Sequence, residues 1–253
     1  MILSVKDLSV SFDELNVLEN VNFEVSPGDI LAIIGSNGSG KTVLLRALLH
    51  TIPYQGQIEW KKGVRIGYVP QKLFIDWSLP LTLREFLNLK AKIIGTSADE
   101  VEEVLSLVKL PGSFLDRPLA KLSGGQFQRA LIAFAMIGDP NVLIFDEPTA
   151  SVDTPSSAQI YEDLHRLCDQ RKMTLLIVSH DLSLIYSYAN KVLCLNKQNL
   201  CFGHPAEVLT PERLHELYGT PVKFYVHEHQ FVGEGHEEGH EHGHEHHHHH
   251  DHG

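Results

Sequence analysis

No stretch of this chain comes near the roughly 18 consecutive apolar residues that a bilayer-spanning helix needs, so it is not expected to cross a membrane by itself. Met1 to Val10 also lacks a basic start backed by an apolar block, and no export signal is expected there. Cysteine is scarce: Cys168, Cys194 and Cys201 are odd in number and form no C-x-x-C pair, which suits free thiols in a reducing compartment, the cytoplasm, better than a disulfide framework. Basic residues are few, 21 Lys and Arg against 32 Asp and Glu for a net charge of −11. Seven of those carboxylates and no Lys or Arg lie in residues 227–253, so the body stands at −4 and carries no nucleic-acid footprint. No internal repeat is present. What remains, 253 residues with 43% apolar and 21% charged content, is ordinary for one folded α/β unit.

Four apolar runs read as buried strands: Ile30 to Ile34, Val142 to Phe145, Leu175 to Val178 and Val192 to Leu195. None alternates with polar residues, as expected where both faces of a sheet are covered. Amphipathic stretches between them, such as Thr42 to Leu49 and Gln126 to Ile137, make the order strand, helix, strand, which argues for a mostly parallel core sheet flanked by helices. Ile2 to Val25 together with Gln57 to Val69 reads as shorter antiparallel strands beside that sheet. From Leu81 to Leu110 the spacing is helical, and Ser97 with Glu100 predicts a capping box before Val101, Val104, Leu105 and Val108. We therefore expect a core over residues 1–80 and 136–226, a helical subdomain inserted at about 81–135, and a disordered tail over 227–253, where almost nothing apolar remains to form a core.

The chemistry begins at Gly35-Ser36-Asn37-Gly38-Ser39-Gly40-Lys41-Thr42, which fits G-x-x-x-x-G-K-[ST] between a strand and a helix. Glycines let the backbone curl so that successive N–H groups face phosphate oxygens, and the helix N-terminus adds its dipole. Lys41 would neutralise the β and γ phosphates, the Thr42 hydroxyl would bind Mg²⁺, and Val43 offers only its backbone N–H. A glycine-rich structural turn is the competing reading, weakened by the strand and helix on either side. At the end of another buried strand, Asp146 is placed to hold Mg²⁺, and Glu147 is the candidate base that orients and deprotonates the attacking water. Two surface carboxylates ending a strand would look the same without the phosphate loop.

These elements indicate a P-loop nucleotidase. Leu122-Ser123-Gly124-Gly125-Gln126, followed by Phe127-Gln128-Arg129 and preceding the Asp146-Glu147 strand by about twenty residues, resembles the signature of ABC ATPases. The resemblance covers about residues 1–225 and implies the ABC-ATPase variant of the P-loop NTPase fold, with an antiparallel β subdomain and an inserted helical subdomain. It also implies that Ser123, Gly124, Gly125 and Gln126 face the γ-phosphate held by a partner copy, so that two ATP molecules are sandwiched in a homodimer. By the same resemblance Phe12 stacks on adenine, Gln71 senses Mg²⁺ and links the site to transmembrane permease subunits, Asp153 lies in the loop that crosses the dimer interface, and His180 holds the γ-phosphate and the water. Phe12 could equally be a core ring, and a histidine at a strand end is often structural. Val43, where many relatives carry a hydroxyl, and the form of the Ala150 to Asp153 stretch depart from the family pattern.

Val69-Pro70-Gln71, Asp76-Trp77, Pro80-Leu81-Thr82 and Arg84-Glu85 resemble the ATPases of zinc and manganese importers, which places the chain peripherally on the cytoplasmic face of a bacterial inner membrane, served indirectly by an extracytoplasmic metal-binding protein. Twelve histidines lie between His227 and His252. Among them His236, His240, His242, His244, His246, His248 and His250 are candidate Zn²⁺ ligands, since imidazole suits zinc and manganese prefers oxygen. A purification tag is the alternative; only His246 to His250 form a run. Manganese or iron import, or a metal store with an incidental P-loop fold, are the competing functions. A DNA-repair ATPase of this class would need a long coiled coil between Gln71 and Ser123, for which about fifty residues leave no room.

Overall fold

The computed structural model describes residues 1–73, 79–147 and 154–219, with side chains for all of these except 98, 99 and 154–158. Asp76, Trp77, Ala150 to Asp153 and the whole of 227–253, histidines included, therefore lie outside the described residues. The chain opens with β1 (Leu3–Phe12) and β2 (Leu15–Val25), an antiparallel pair, and continues through the fully buried β3 (Ile30–Ile34) into α1 (Lys41–Leu48). β4 (Gln55–Trp60) returns to pair with β1, giving a three-stranded sheet in the order β2-β1-β4. β5 (Ile66–Val69) leaves it. Although expected among the antiparallel strands, β5 pairs in parallel with β6 (Val142–Asp146), a contact some 76 residues away along the chain for Ile66 with Val142.

Between these two strands lie α2 (Leu83–Ile94), α3 (Ala98–Leu107) and α4 (Gly124–Met136). α5 (Thr154–Arg171), β7 (Thr174–Val178), α6 (Leu182–Tyr188), β8 (Lys191–Asn196), β9 (Gln198–Gly203), α7 (Pro205–Val208) and α8 (Pro211–Tyr218) complete the chain. The larger sheet runs β5-β6-β7-β3-β8-β9, parallel except for the β8–β9 hairpin at its edge. β3, β6 and β7 are buried along their full length, which is why their sequences show no alternation.

One core joins the two sheets through α1. Leu44, Leu45 and Leu48 are fully buried against Leu18 and Val21 of β2 and Leu31 and Ile33 of β3. At about 1.5–3 kcal/mol for each buried leucine, this face of α1 holds the loop before it far more firmly than eight residues of helix could hold themselves.

Capping differs from the expectation. Ser97 is the N-cap of α3 but makes no side-chain cap bond, and the reciprocal half of the box is also missing because Glu100 accepts from the Gly138 backbone N–H at 2.6 Å. Complete capping boxes form instead at Thr82 with Glu85 and at Ser123 with Gln126. The thiol expectation is also corrected: Cys194 and Cys201 are direct partners across β8 and β9, Cα to Cα 4.9 Å, and are joined as a disulfide. Cys168 alone is free, buried in α5, its thiol pushed up to about 12 by burial and by Asp169. No helix among the described residues is long and apolar enough to cross a membrane.

Candidate functional site

In a parallel sheet every strand delivers its C-terminal end to the same edge, and groups that must meet are placed on the loops there. Four strands do so here. β3 leads into Gly35 to Gly40, β6 into Glu147, β7 into His180 and β5 into Gln71. The β3 loop closes tightly: a Cβ on Gly35 would stand 2.2 Å from the Leu195 carbonyl oxygen, and one on Gly40, at φ +97°, 2.6 Å from Leu18 Cδ2. Only glycine fits either place. Leu195, on β8, is a buttress for this loop that no local pattern announced.

Lys41, 6% exposed, turns back over the loop and donates to the carbonyl oxygens of Gly35 and Ser36, both at 3.0 Å. Its pKa is lowered by burial, against the opposing pull of Glu147 and Asp146. Beside it, Thr42 Oγ1 donates to Asp146 Oδ1 at 3.3 Å. Asp146 is 2% exposed, and burial raises its pKa despite that hydrogen bond and the charge of Lys41; Glu147 pushes it further up. An oxygen-only pair, with a carboxylate this poorly compensated, matches what a hard divalent cation takes. Tyr68, on β5, is pushed up to about 12 by burial and by the same aspartate.

Glu147 is the meeting point. Its Oε1 lies 2.6 Å from His180 Nε2 and 4.0 Å from Lys41 Nζ, and its Oε2 accepts from Gln71 Nε2. The backbone at Glu147 has φ +48°, a left-handed conformation that costs a non-glycine residue of order 1–3 kcal/mol and persists only where surroundings enforce it. The structure thus brings together Lys41, Thr42, Gln71, Asp146, Glu147 and His180, six residues singled out from distant parts of the sequence.

Ser123 to Gln126 stand differently. Ser123 caps α4, its Oγ accepting from Gln126 N at 3.3 Å while Gln126 Oε1 accepts from Ser123 N at 3.0 Å. Among the described residues none of Ser123, Gly124, Gly125 and Gln126 shares a hydrogen bond or ion pair with the strand-end cluster. Gly125 faces open space where a Cβ would go. Phe12 ends β1 with its ring 43% exposed, which sets it apart from the core rings. Ser36, Asn37 and Gly38 form the outer turn of the loop; Ser39 is buried, and its hydroxyl has no hydrogen-bond partner among the described residues. Val43 packs against the core. Asp153 and the tail histidines lie outside the described residues, and among those described no cluster of His, Cys, Asp and Glu is placed to hold a metal ion.

Comparison with known proteins converges on one group. The family described as ABC transporter matches residues 18–150. The zinc import ATP-binding protein ZnuC of Pasteurella multocida is 38% identical over 241 residues, 93% of this chain and 90% of that protein. The ZnuC of Jannaschia sp. is 40% identical over 87% of this chain and 89% of its own length. Among solved structures, an inward-facing conformation of a metal-chelate type ABC transporter is similar at TM-score 0.79 and 28% identity, covering 87% of this chain and 90% of that one. The dimeric cassette MJ0796 bound to ADP and Pi, at 22% identity and TM-score 0.66 over 81% of this chain and 99% of that one, shares the fold.

Proposed function

The chain belongs to the ABC transporter family of ATP-binding subunits, and we propose that it hydrolyses ATP between two copies of itself to drive zinc import through separate membrane subunits. The observation that carries the chemistry is the Glu147 carboxylate, held by His180 and Gln71 beside the buried Lys41. Glu147 is the general base: two hydrogen bonds fix its direction, and His180 is in reach to take up or return the proton. Lys41 grips the β and γ phosphates from inside the glycine cradle of residues 35–40, and Phe12 offers its exposed ring to adenine. Thr42 and Asp146 would hold Mg²⁺, assisted by Gln71, and the ion would supply charge neutralisation of the phosphates. Ser123, Gly124, Gly125 and Gln126 cap the nucleotide of the partner copy, with Asp153 at the seam. Closure of the two copies on ATP is the working step and hydrolysis reopens them, the populations being shifted by binding energy.

A groove of about 570 Å³ lined by Gln71, Leu73, Leu119, Leu122, Phe127 and Leu131 is our candidate seat for the permease. Gln128 lies in its wall, 8% exposed with an amide nitrogen that has no partner among the described residues, a donor such a subunit could satisfy. This would hold the chain peripherally at the cytoplasmic face of the membrane. The reading includes the division into core 1–80 and 136–226, helical subdomain about 81–135 and tail 227–253.

Zinc as cargo is supported by the ZnuC relatives and by the histidines of the tail, His236, His240, His242, His244, His246, His248 and His250 among them. We take the tail as a cytosolic zinc buffer or brake on uptake. Reconstitution with the permease tests the cargo: zinc should stimulate ATP hydrolysis and accumulate in vesicles, whereas stimulation by manganese or iron alone would contradict it. Zinc calorimetry on the full chain and on a chain ending at Val226 tests the tail, and equal uptake by both would end that part.

A further inference from the structure

Among the described residues Ser123 to Gln126 share no hydrogen bond or ion pair with the strand-end cluster, yet both regions are tied to one element. On α5 the Tyr161 hydroxyl donates to Ser179 Oγ at 2.9 Å in a buried contact, and Ser179 Oγ also accepts from the backbone N–H of Asp181 at 3.1 Å. Those two bonds brace the residues on either side of His180. Two positions further along α5, Asp163 is only 10% exposed; its Oδ2 accepts from Arg129 Nη2 at 2.8 Å and its Oδ1 from Lys109 Nζ at 2.6 Å. Arg129 lies on α4, six residues after Ser123, and also donates to the Val108 carbonyl at 2.8 Å. Residues two apart on a helix project about 200° from one another, so α5 offers one side to the His180 loop and the other to the signature helix.

Toward α4 the joint around Asp163 is lined by Ile132, Ile160, Leu164 and Leu167, while on its outer side Gln159 Nε2 at 3.3 Å and Arg166 Nη1 at 3.8 Å also face the carboxylate. A half-buried ion pair in such a place is a poor source of stability compared with hydrophobic packing, but it does impose direction and register. We propose that α5 is the rod through which a copy's own nucleotide and its partner's are coupled: Tyr161 positions His180 over the nucleotide of its own chain, and Asp163, through Arg129, positions Ser123 over the nucleotide of the partner. Both are positioning residues. The inference rests on the paired-site reading above and assigns each of the two to a different site.

Mixed dimers separate them. When one copy carries Glu147→Gln, only the site whose Glu147 comes from the other copy turns over, and that site is capped by Ser123 of the variant copy. Asp163→Asn added to the Glu147→Gln copy should lower kcat roughly tenfold or more with KM held within about twofold, because misplacement of a capping group acts on the transition state. Asp163→Asn in the other copy should leave the rate near that of the parent mixed dimer. Tyr161→Phe should behave in the opposite sense, slowing turnover only in the copy with the intact Glu147. Arg129→Lys, which keeps the charge and loses the fork, should follow Asp163 and gives the same readout should Asp163→Asn fail to fold. Equal losses from either copy, or a fall in Tm with kcat unchanged, would overturn the assignment. Turnover of the parent mixed dimer left unchanged by Ser123→Arg in the Glu147→Gln copy would instead overturn the paired-site reading, and the inference with it.

Discussion

The loop at the end of β3 and the turn that starts α4 are both helix N-termini rich in glycine and serine, yet they differ in what their groups do. At the first, Lys41, Glu147, His180 and Gln71 are linked to one another across four strands. At the second, the side chains of Ser123 and Gln126 cap each other's backbone, and among the described residues none of Ser123 to Gln126 bonds to the strand-end cluster. In the proposed reading, one end is an enzyme's machinery and the other is half of a clamp. The difference teaches where the proposed account can be tested: a turn that shares no bond with the strand-end cluster among the described residues fits a role on a second copy's nucleotide.

The largest expected effect falls on the first region. Glu147→Gln should cut kcat by about 10²–10⁴ while ATP stays bound, as measured by single-turnover hydrolysis and nucleotide retention. Undiminished turnover would remove Glu147 from the mechanism and dissolve the contrast. Lys41→Ala should weaken ATP binding by roughly 10- to 150-fold, the equivalent of a charge-assisted hydrogen bond worth about 1.5–3 kcal/mol, in a titration with a fluorescent nucleotide. Ser123→Ala should leave ATP affinity of the single chain intact but cost about 1 kcal/mol of stability through loss of the helix cap, visible by denaturant unfolding. A large loss of monomer affinity there would place Ser123 in its own chain's site and blur the comparison.

The smallest effect concerns Asp146. Its folded pKa is raised, so the folded state binds more protons than the unfolded one between the ordinary carboxylate value and the raised one. Stability of the nucleotide-free chain from this group therefore falls as pH rises through that window and the penalty persists above it. In the nucleotide-free chain Asp146→Asn should raise Tm slightly near neutral pH and flatten the acid side of the Tm–pH curve; a lower Tm would contradict the desolvation account.

Much of this was legible in advance where the signal was local. The four buried strands, the β3 loop, Asp146-Glu147 and Ser123 to Gln126 are contiguous words, and their periodicity or spacing is a direct consequence of burial and phosphate geometry. What escaped was non-local. β5 has four residues, too few for a period to tell which sheet it joins, and its place beside β6 depends on Gly67, where a Cβ would stand 2.6 Å from the Ala135 carbonyl oxygen. β9, with a polar start and an edge position, lacks the apolar run that marked its neighbours. The Cys194–Cys201 pair depends on a hairpin register, Ser97 lost its box because Glu100 found a better donor in Gly138, and Asp163 with Arg129 lies across a joint between helices far apart in sequence.

The central claim, a nucleotide gripped by two copies, is tested most directly by sedimentation of the Glu147→Gln chain with and without ATP and Mg²⁺. Dimer with nucleotide, monomer without it, and return to monomer on adding Ser123→Arg while ATP remains bound is the expected result. A wild-type chain that turns over ATP at full rate while sedimenting as a monomer throughout would contradict it.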